Sequence, residues 1–221
     1  MRHYLVKYNK VYIVYYLCVI FYMIFLVSCN RNEKSTFKSK NLKQIKVLIL
    51  YSSGNPNAIV PRISEKINID AITSPTPKFV NTAVVAKMIA DYLKKKIPHV
   101  TLKKIEEVKS AQEVLSVDVI LIGSATHLGI MSWETKRFFD NILHSIYVHR
   151  KAKLKDKYIG CFTTCEVYPS GKDCIKSIYR ALYDFNSKKL PSLIILDKMP
   201  HNEIEKKVAQ FTKKLIAKIA K

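Results

Sequence analysis

The residues best suited to chemistry lie in two short stretches of small, hydroxyl-bearing and aromatic side chains, each directly after a strongly apolar run. The first stretch is Ser124, Ala125, Thr126, His127, Leu128 and Gly129. The second comprises Thr164, Cys165, Glu166, Tyr168 and Gly171. Hydroxyls, backbone amides and flat side chains of this kind suit a polar ligand in a crevice. The two stretches therefore predict a binding site.

Neither a hydrolytic nor a metal-dependent centre is indicated. The chain contains no Gly-x-Ser-x-Gly nucleophile elbow. Its cysteines and histidines lack the spacing of a zinc site. We therefore assign no catalytic side chain and no metal ligand.

A third polar group follows the apolar run at 46–51. Ser52 and Ser53, followed by Gly54 and Asn55, form a candidate phosphate turn, because hydroxyls and backbone N–H groups after a strand can bind an anion. Residues 55–79 include four prolines and predict an irregular insertion. Asn81 and Thr82 then open an amphipathic helix.

These stretches require a scaffold in which strands and helices alternate. Apolar runs predict strands over 46–52, 100–105, 117–122, 158–164 and 193–196, and the lysines of the second suit a sheet edge. Helical spacing predicts helices after the first, third, fourth and fifth strands, the last with Asn202 as its N-cap. The alternation predicts a three-layer α-β-α sandwich around a five-stranded parallel sheet. The carboxyl ends of such strands share one edge, where ligands bind.

The first residues predict export. Three basic residues within 1–10 precede an uncharged apolar run at 11–27. Leu26-Val27-Ser28-Cys29 resembles the lipobox of bacterial lipoproteins, in which the cysteine is lipidated and becomes the new N-terminus. We expect a signal peptide at 1–28, a polar tether at 29–45 and a domain at 46–221, anchored by lipid to a membrane of the cell envelope. An uncleaved membrane-spanning anchor is the alternative.

The formal net charge of +21 comes from 38 lysines and arginines against 17 acidic residues. The lysines are spread over the helices and the tether, without aromatic interleaving or a nucleic-acid-binding module. We therefore expect no nucleic-acid partner. A basic surface would instead add attraction to anionic lipid head groups.

Three stretches in the expected places resemble the flavodoxin family. They are KVLILYSS at 46–53, DVILIGSATHLGIMSWETKRFFD at 118–140 and YIGCFTTCEVYPSG at 158–171, of which the second is the most specific. The resemblance implies strand order 2-1-3-4-5 and FMN enclosed by the loops that follow the strands. It also implies an electron carrier or an NAD(P)H-dependent flavin or quinone reductase.

The phosphate loop departs from the family's pattern. In flavodoxins a compact Thr/Ser-x-Thr-Gly-Asn-Thr leads straight into the first helix. In this chain either the pattern is split, with Ser52 and Ser53 before the insertion and Asn81 and Thr82 after it, or Ser53-Gly54-Asn55 is its intact part. We favour the split version, because a helix N-terminus is needed to face the phosphate. Ala125 replaces a proline common in the family.

The resemblance thus predicts an FMN-binding lipoprotein that transfers electrons, with a redox protein, a quinone or NAD(P)H as its partner. Whether it is a carrier or an enzyme stays open, as does its oligomeric state. Flavodoxin carriers are typically acidic, which lowers the flavin potential, so this basic chain is expected to differ in potential and in docking partner. The alternative is a flavin-free binding or structural module at the envelope.

Single side chains in the stretches allow two interpretations each. His127 either hydrogen-bonds the ligand or is a solvent-exposed loop histidine. Tyr168 either stacks on the ring or is an ordinary loop aromatic. We expect Trp133 to pack in the fold and Glu166 to be solvated. Among the cysteines, a Cys165–Cys174 disulfide is conceivable, whereas Cys161 on its strand is expected to be a buried thiol.

Overall fold

A parallel sheet with helices on both faces organises the described part of the chain, which in this computed structural model comprises residues 41–52, 81–149 and 154–220. The predicted signal peptide, the lipid site at Cys29 and the insertion at 55–79 lie outside these residues. The strands are β1 (Lys46–Tyr51), β2 (His99–Lys104), β3 (Val119–His127), β4 (Ile130–Met131), β5 (Tyr158–Cys165) and β6 (Lys188–Leu196). The helices are α1 (Thr82–Lys94), α2 (Ala111–Leu115), α3 (Trp133–Phe138), α4 (His144–His149), α5 (Tyr168–Ala181) and α6 (His201–Ile219).

Shorter helical turns join or flank these elements. A π-helical turn, Phe139–Leu143, links α3 to α4. The 3-10 turns are Leu42–Gln44, Ile105–Glu107 and Tyr183–Phe185. The first of these lies within the predicted tether, and Ile45, the last tether residue, is buried.

The five parallel strands lie in the order β2-β1-β3-β5-β6, which is the predicted order 2-1-3-4-5. The predicted fold class is therefore confirmed. Lys46 of β1 pairs with His99 of β2, and Val47 pairs with Val119 of β3. The sixth strand, β4, was not predicted because it has only two residues, and it pairs antiparallel with the end of β3.

Two hydrophobic cores cover the two faces of the sheet. On one face Ile49, Phe162 and Ile195 pack with Ile89 of α1 and Phe211 of α6. On the other face the sheet packs against residues of α2, α3, α4 and α5. Burial on both faces explains why β1, β3 and β5 are almost continuously apolar.

Three boundaries differ from the sequence-based expectation. Residues 124–127 were predicted to be loop but extend β3, because Thr126 and His127 pair with Met131 and Ile130 in a hairpin. The last strand begins at Lys188 rather than 193, since lysines and a proline mask the apolar pattern of this edge strand. Asn202 is not the N-cap of α6; the helix begins at His201, after Pro200.

Candidate functional site

Two hydrogen bonds join four elements at the carboxyl edge of the sheet. The backbone N–H of Ala125 on β3 donates to the hydroxyl of Ser52, which follows β1, at 3.2 Å. The hydroxyls of Thr82 on α1 and Thr164 on β5 lie 2.9 Å apart. The structure thus gathers polar residues from all three predicted groups at one rim.

The N-terminus of α1 is capped as predicted. Asn81 has an extended backbone, and its side-chain oxygen accepts from the N–H of Val84 at 2.9 Å. The first turn carries no acidic residue. Because the positive end of the helix dipole is uncompensated by a carboxylate there, it favours a nearby anion.

The hydroxyl side chains beside this helix end are engaged within the protein. Ser52, Thr82, Ser124 and Thr164 are buried, and we call them the buried rim cluster. The hydroxyl of Ser124 accepts from the N–H of Ser132 at 2.8 Å and donates to the carbonyl of Ala125. Contacts to a ligand from this cluster would therefore rely on backbone groups. Ser53, the remaining predicted member of this group, lies outside the described residues.

The β3–β4 hairpin carries the most strained backbone of the rim. Leu128 and Gly129 at its tip have φ angles of 48° and 79°. Two successive positive φ angles suit a tight hairpin. For leucine, however, the left-handed region costs about 1–2 kcal/mol, because its Cβ lies too close to the following carbonyl oxygen. The Leu128 side chain is wholly exposed. A strained and exposed apolar residue at a strand end points to a binding role.

Polar contacts hold the hairpin against β5 and α5. The Thr126 hydroxyl lies 2.8 Å from that of Thr163. The N–H of Met131 donates to the Ser177 hydroxyl at 3.1 Å. A Cβ placed on Gly129 would lie 3.8 Å from the Cβ of Asp173. The tip is therefore positioned beside the first turns of α5.

The second predicted stretch divides into a buried and an exposed part. Cys165 is buried, and burial raises the pKa of its thiol to about 11, so it is protonated and unsuited to nucleophilic chemistry. Gly171 permits the close approach of α5, since a Cβ there would lie 2.5 Å from the Cys165 sulfur. Glu166 and Tyr168 are exposed, as is the intervening Val167. We call 127–128 and 166–168 the exposed rim loops.

Several outcomes concern single side chains. Glu166 is exposed, as expected, and His127 is also exposed, which is compatible with both of its interpretations. The packing role expected for Trp133 is wrong: its side chain is 66% exposed and lies against Arg137, at 5.2 Å from the guanidinium carbon to the ring centroid. Cys161, Cys165 and Cys174 are buried free thiols. The remaining predicted positions, Ala125, Thr126 and Gly129, are partly buried.

Sequence reasoning missed two titratable residues at the rim. The N–H of Asp197 donates to the carbonyl of Cys165 at 2.9 Å, and burial and the charge of Glu166 raise the pKa of the Asp197 carboxyl. Burial, followed by the charges of Glu107 and Glu106, raises the pKa of Tyr51. Asp197 directly follows the apolar run of β6, which is the signal that identified the other stretches.

The described residues add two negative findings. None of their helices combines the length and apolar character needed to cross a bilayer. Within 41–52, 81–149 and 154–220 no group of three or more histidine, cysteine or acidic side chains is placed to hold a metal ion.

Among known proteins, no protein-family model matches the chain. A flavodoxin from Aquifex aeolicus is 34% identical over 68 residues, which are 30% of this chain and 36% of that protein. The matched segment thus spans about a third of the length of this curated relative.

Solved structures resemble most of the chain. Oxidised flavodoxin 2 from Bacillus cereus has a TM-score of 0.58 and 20% identity, and covers 78% of this chain and 99% of its own. A flavodoxin from the domain Archaea has a TM-score of 0.56 and 17% identity, covering 80% and 100%. A WrbA-like flavodoxin from Agrobacterium tumefaciens has a TM-score of 0.53 and 16% identity, and the match covers 80% of this chain and 99% of that protein. The chain therefore has the flavodoxin-like fold.

Proposed function

We propose that the protein is a member of the flavodoxin family that binds FMN at the rim and transfers electrons. One observation carries this proposal: the ends of β1, β3 and β5 and the start of α1 meet beside two exposed loops. In a doubly wound sheet this is the position at which ligands bind. The likeness to flavodoxin structures supports FMN as the ligand.

The residues at the rim fit the two ends of FMN. The N-terminus of α1, with no acid in its first turn, suits a dianionic phosphate. Leu128 and Tyr168 offer apolar and aromatic surface to a flat ring, and both are exposed. Bound FMN would supply the redox chemistry, so the chain's own task is to orient the ring and to exclude water from it. Nearby charges, including Glu166 and Asp197, would tune the potential.

Titration of the purified full-length chain with FMN tests the proposal. We expect a yellow complex in which the protein quenches flavin fluorescence. Replacing Tyr168 by leucine should weaken binding roughly fivefold to tenfold, because ring stacking contributes about 1–1.5 kcal/mol. Tyr183→Leu is the matched control, since Tyr183 is exposed beyond the far end of α5. Unquenched flavin fluorescence, together with a protein that is colourless once free FMN has been removed by gel filtration, would contradict the proposal.

A second assay separates a carrier from a reductase. Steady oxidation of NAD(P)H by the FMN-loaded protein, with a quinone as acceptor, would identify an NAD(P)H-dependent reductase. Reduction by a protein partner without turnover of NAD(P)H would identify a carrier. The basic net charge of +21 favours an acidic partner, because opposite surface potentials steer association.

A flavin-free binding module is the second candidate. The observation in its favour is that the hydroxyls of Ser52 and Thr82, expected to face the phosphate, are buried and bonded to other parts of the fold. This candidate predicts that saturating FMN leaves the thermal unfolding midpoint unchanged. The FMN proposal instead predicts a rise in that midpoint, because a ligand that binds only the folded state stabilises it.

We further propose that the protein is anchored to an envelope membrane through lipidated Cys29. The support is the sequence Leu26-Val27-Ser28-Cys29 after an uncharged apolar run. Metabolic labelling with a fatty acid should mark the wild-type protein and leave Cys29→Ala unlabelled. Labelling of both proteins would contradict the assignment. Cys18→Ala is the control, because Cys18 lies within the apolar run.

A further inference from the structure

A groove of about 770 Å³ runs along α5 beside β6 and shares only Tyr168 with the described residues of the rim site. The last strand of a sheet has only one neighbouring strand. The helix that precedes β6 therefore covers only part of the face of that strand. Ser192 of β6 is exposed and Ile194 is partly covered on this side. The side chains of α5 form the opposite wall.

Three basic side chains form a row on the α5 wall. Lys172, Lys176 and Arg180 lie four residues apart and therefore share one face of the helix. Lys189 adds a fourth cation from β6, against one lining carboxylate, Asp184. The row suits an anion that carries several negative charges, because the long side chains can converge on it.

Some of these charges already have partners within the protein. Lys176 forms an ion pair with Asp173 at 2.8 Å. The ammonium of Lys189 lies 3.8 Å from the centre of the Tyr179 ring. Lys172 and Arg180 are both exposed, and we expect them to contribute most to binding an anion.

The floor of the groove is apolar and fixed. Ile175 is buried there, and the Tyr179 hydroxyl donates to the carbonyl of Leu190 at 2.8 Å. Burial raises the pKa of Tyr179, so the phenol stays neutral and keeps this bond. The floor therefore presents a stable surface to a ligand.

An exposed tyrosine lies at each end of the basic row. Tyr168 begins α5 and is 56% exposed, and Tyr183 follows the helix and is 83% exposed. Tyr168 and Arg180 are separated by roughly 18 Å along the helix axis at 1.5 Å per residue. The order along the groove is thus aromatic, cationic and aromatic.

We propose that this groove binds a dinucleotide, with its pyrophosphate on the basic row and its two bases against Tyr168 and Tyr183. Guanidinium and ammonium groups bind phosphates, and tyrosine rings stack on bases of any sequence. The volume lies in the range of a single small-ligand site, about 300–1,000 Å³. An acidic protein would meet the same charges but would gain little from two separated rings.

Calorimetric titration of the full-length chain with NADPH, ADP and inorganic pyrophosphate tests the proposal. We expect NADPH to bind most tightly and pyrophosphate most weakly, because only the dinucleotide contacts both tyrosines. Lys172→Gln and Arg180→Gln should each raise the Kd for NADPH about tenfold, the loss of one charge-assisted contact. Lys206→Gln is the control; it removes one charge from the exposed side of α6, on the other face of the sheet.

The tyrosine variants separate a dinucleotide from other anions. Tyr168→Leu and Tyr183→Leu should each weaken NADPH binding roughly fivefold and leave pyrophosphate binding unchanged. Equal affinity for pyrophosphate and NADPH would overturn the proposal, as would binding of an acidic polypeptide alone.

The proposal goes beyond FMN binding, and different variants test the groove and the rim site. Tyr183→Leu should affect NADPH but not FMN, whereas Leu128→Asn should affect FMN but not NADPH. A chain that binds NADPH without FMN supports the groove and refutes the rim site. Displacement of NADPH by FMN from the Tyr168→Leu variant would overturn the groove, because Tyr168 is the one described residue that both sites share.

Discussion

The buried rim cluster and the exposed rim loops lie at the same edge of the sheet but differ in how their side chains are used. In the cluster, the hydroxyls of Thr82 and Thr164 are buried and bonded to each other. In the loops, Leu128 and Tyr168 project into solvent. Polar side chains thus tie the scaffold together, while apolar and aromatic ones stay exposed at the same edge.

This difference teaches that residue type alone does not identify a ligand contact. A buried hydroxyl must find a partner, because leaving it unpaired costs about 1–3 kcal/mol. At a junction of several elements the nearest partner is another part of the protein, as for Ser52 and Ala125. An exposed leucine at a positive φ, by contrast, does not stabilise the fold. It is therefore a stronger indication of function than a buried hydroxyl.

The two glycines nearest these regions should differ most in their tolerance of alanine. Gly123→Ala should cost about 3 kcal/mol or more, because its Cβ would overlap the buried ring of Phe162. Gly129→Ala should cost only about 1 kcal/mol, the strain of a positive φ without a steric clash. Chemical denaturation of both variants measures the difference. Equal losses would show that the hairpin is as tightly packed as the sheet.

Removing one hydroxyl from the buried pair should also be costly. Thr82→Val should lower the free energy of unfolding by about 1–3 kcal/mol, because Thr164 loses its hydroxyl partner inside the protein. Thr82→Ser, which keeps the hydroxyl, should cost less. The double variant with Thr164→Val should cost less than the sum of the single variants. Additive losses in that denaturation cycle would argue against coupling between the two hydroxyls.

The hairpin tip should show the opposite response. Leu128→Asn should raise the free energy of unfolding by about 1 kcal/mol, since asparagine tolerates a positive φ better than leucine. The same variant should weaken FMN binding, because it removes exposed apolar surface from the loop. Ile130→Thr, on the neighbouring exposed position, controls for loss of apolar area without a change in φ. If Leu128→Asn changed neither the free energy of unfolding nor the affinity for FMN, both parts of this prediction would be wrong.

The smallest expected effect is a pH dependence from Asp197. Its pKa is raised in the folded protein, so folding favours the protonated carboxyl. This contribution is complete below the ordinary aspartate pKa and is lost as the pH rises through the raised value. Asp197→Asn should therefore abolish part of the fall in thermal stability between acidic and neutral pH. Asp184→Asn, an exposed site, is the control, and identical profiles for Asp197→Asn and wild type would contradict the prediction.

Much of the fold was predictable because the strands of a sheet covered on both faces are apolar throughout. KVLILY forms β1 as expected, and the helical stripe containing Ile89 is buried. Predictions failed where the pattern was short or mixed. The two-residue β4 has too few residues to show a period, and the lysines of β6 conceal an edge strand.

The site was predictable only as a set of strand ends. The rule that parallel strands end at one edge brought residues 52, 125 and 164 to one rim. Which of them face a ligand depends on contacts between residues up to 82 positions apart, as between Thr82 and Thr164. The same holds for Trp133, which was expected inside the protein and lies outside it.

By itself the sequence determined the order of elements, the strong positive charge and the stretches at the strand ends, because periodicity and composition are local properties of the chain. Only the tertiary structure decided which hydroxyls are hydrogen-bonded within the protein and which tyrosines line the groove beside β6. Burial and hydrogen bonding depend on residues distant in sequence, and the strain at Leu128 exists only once the hairpin has formed.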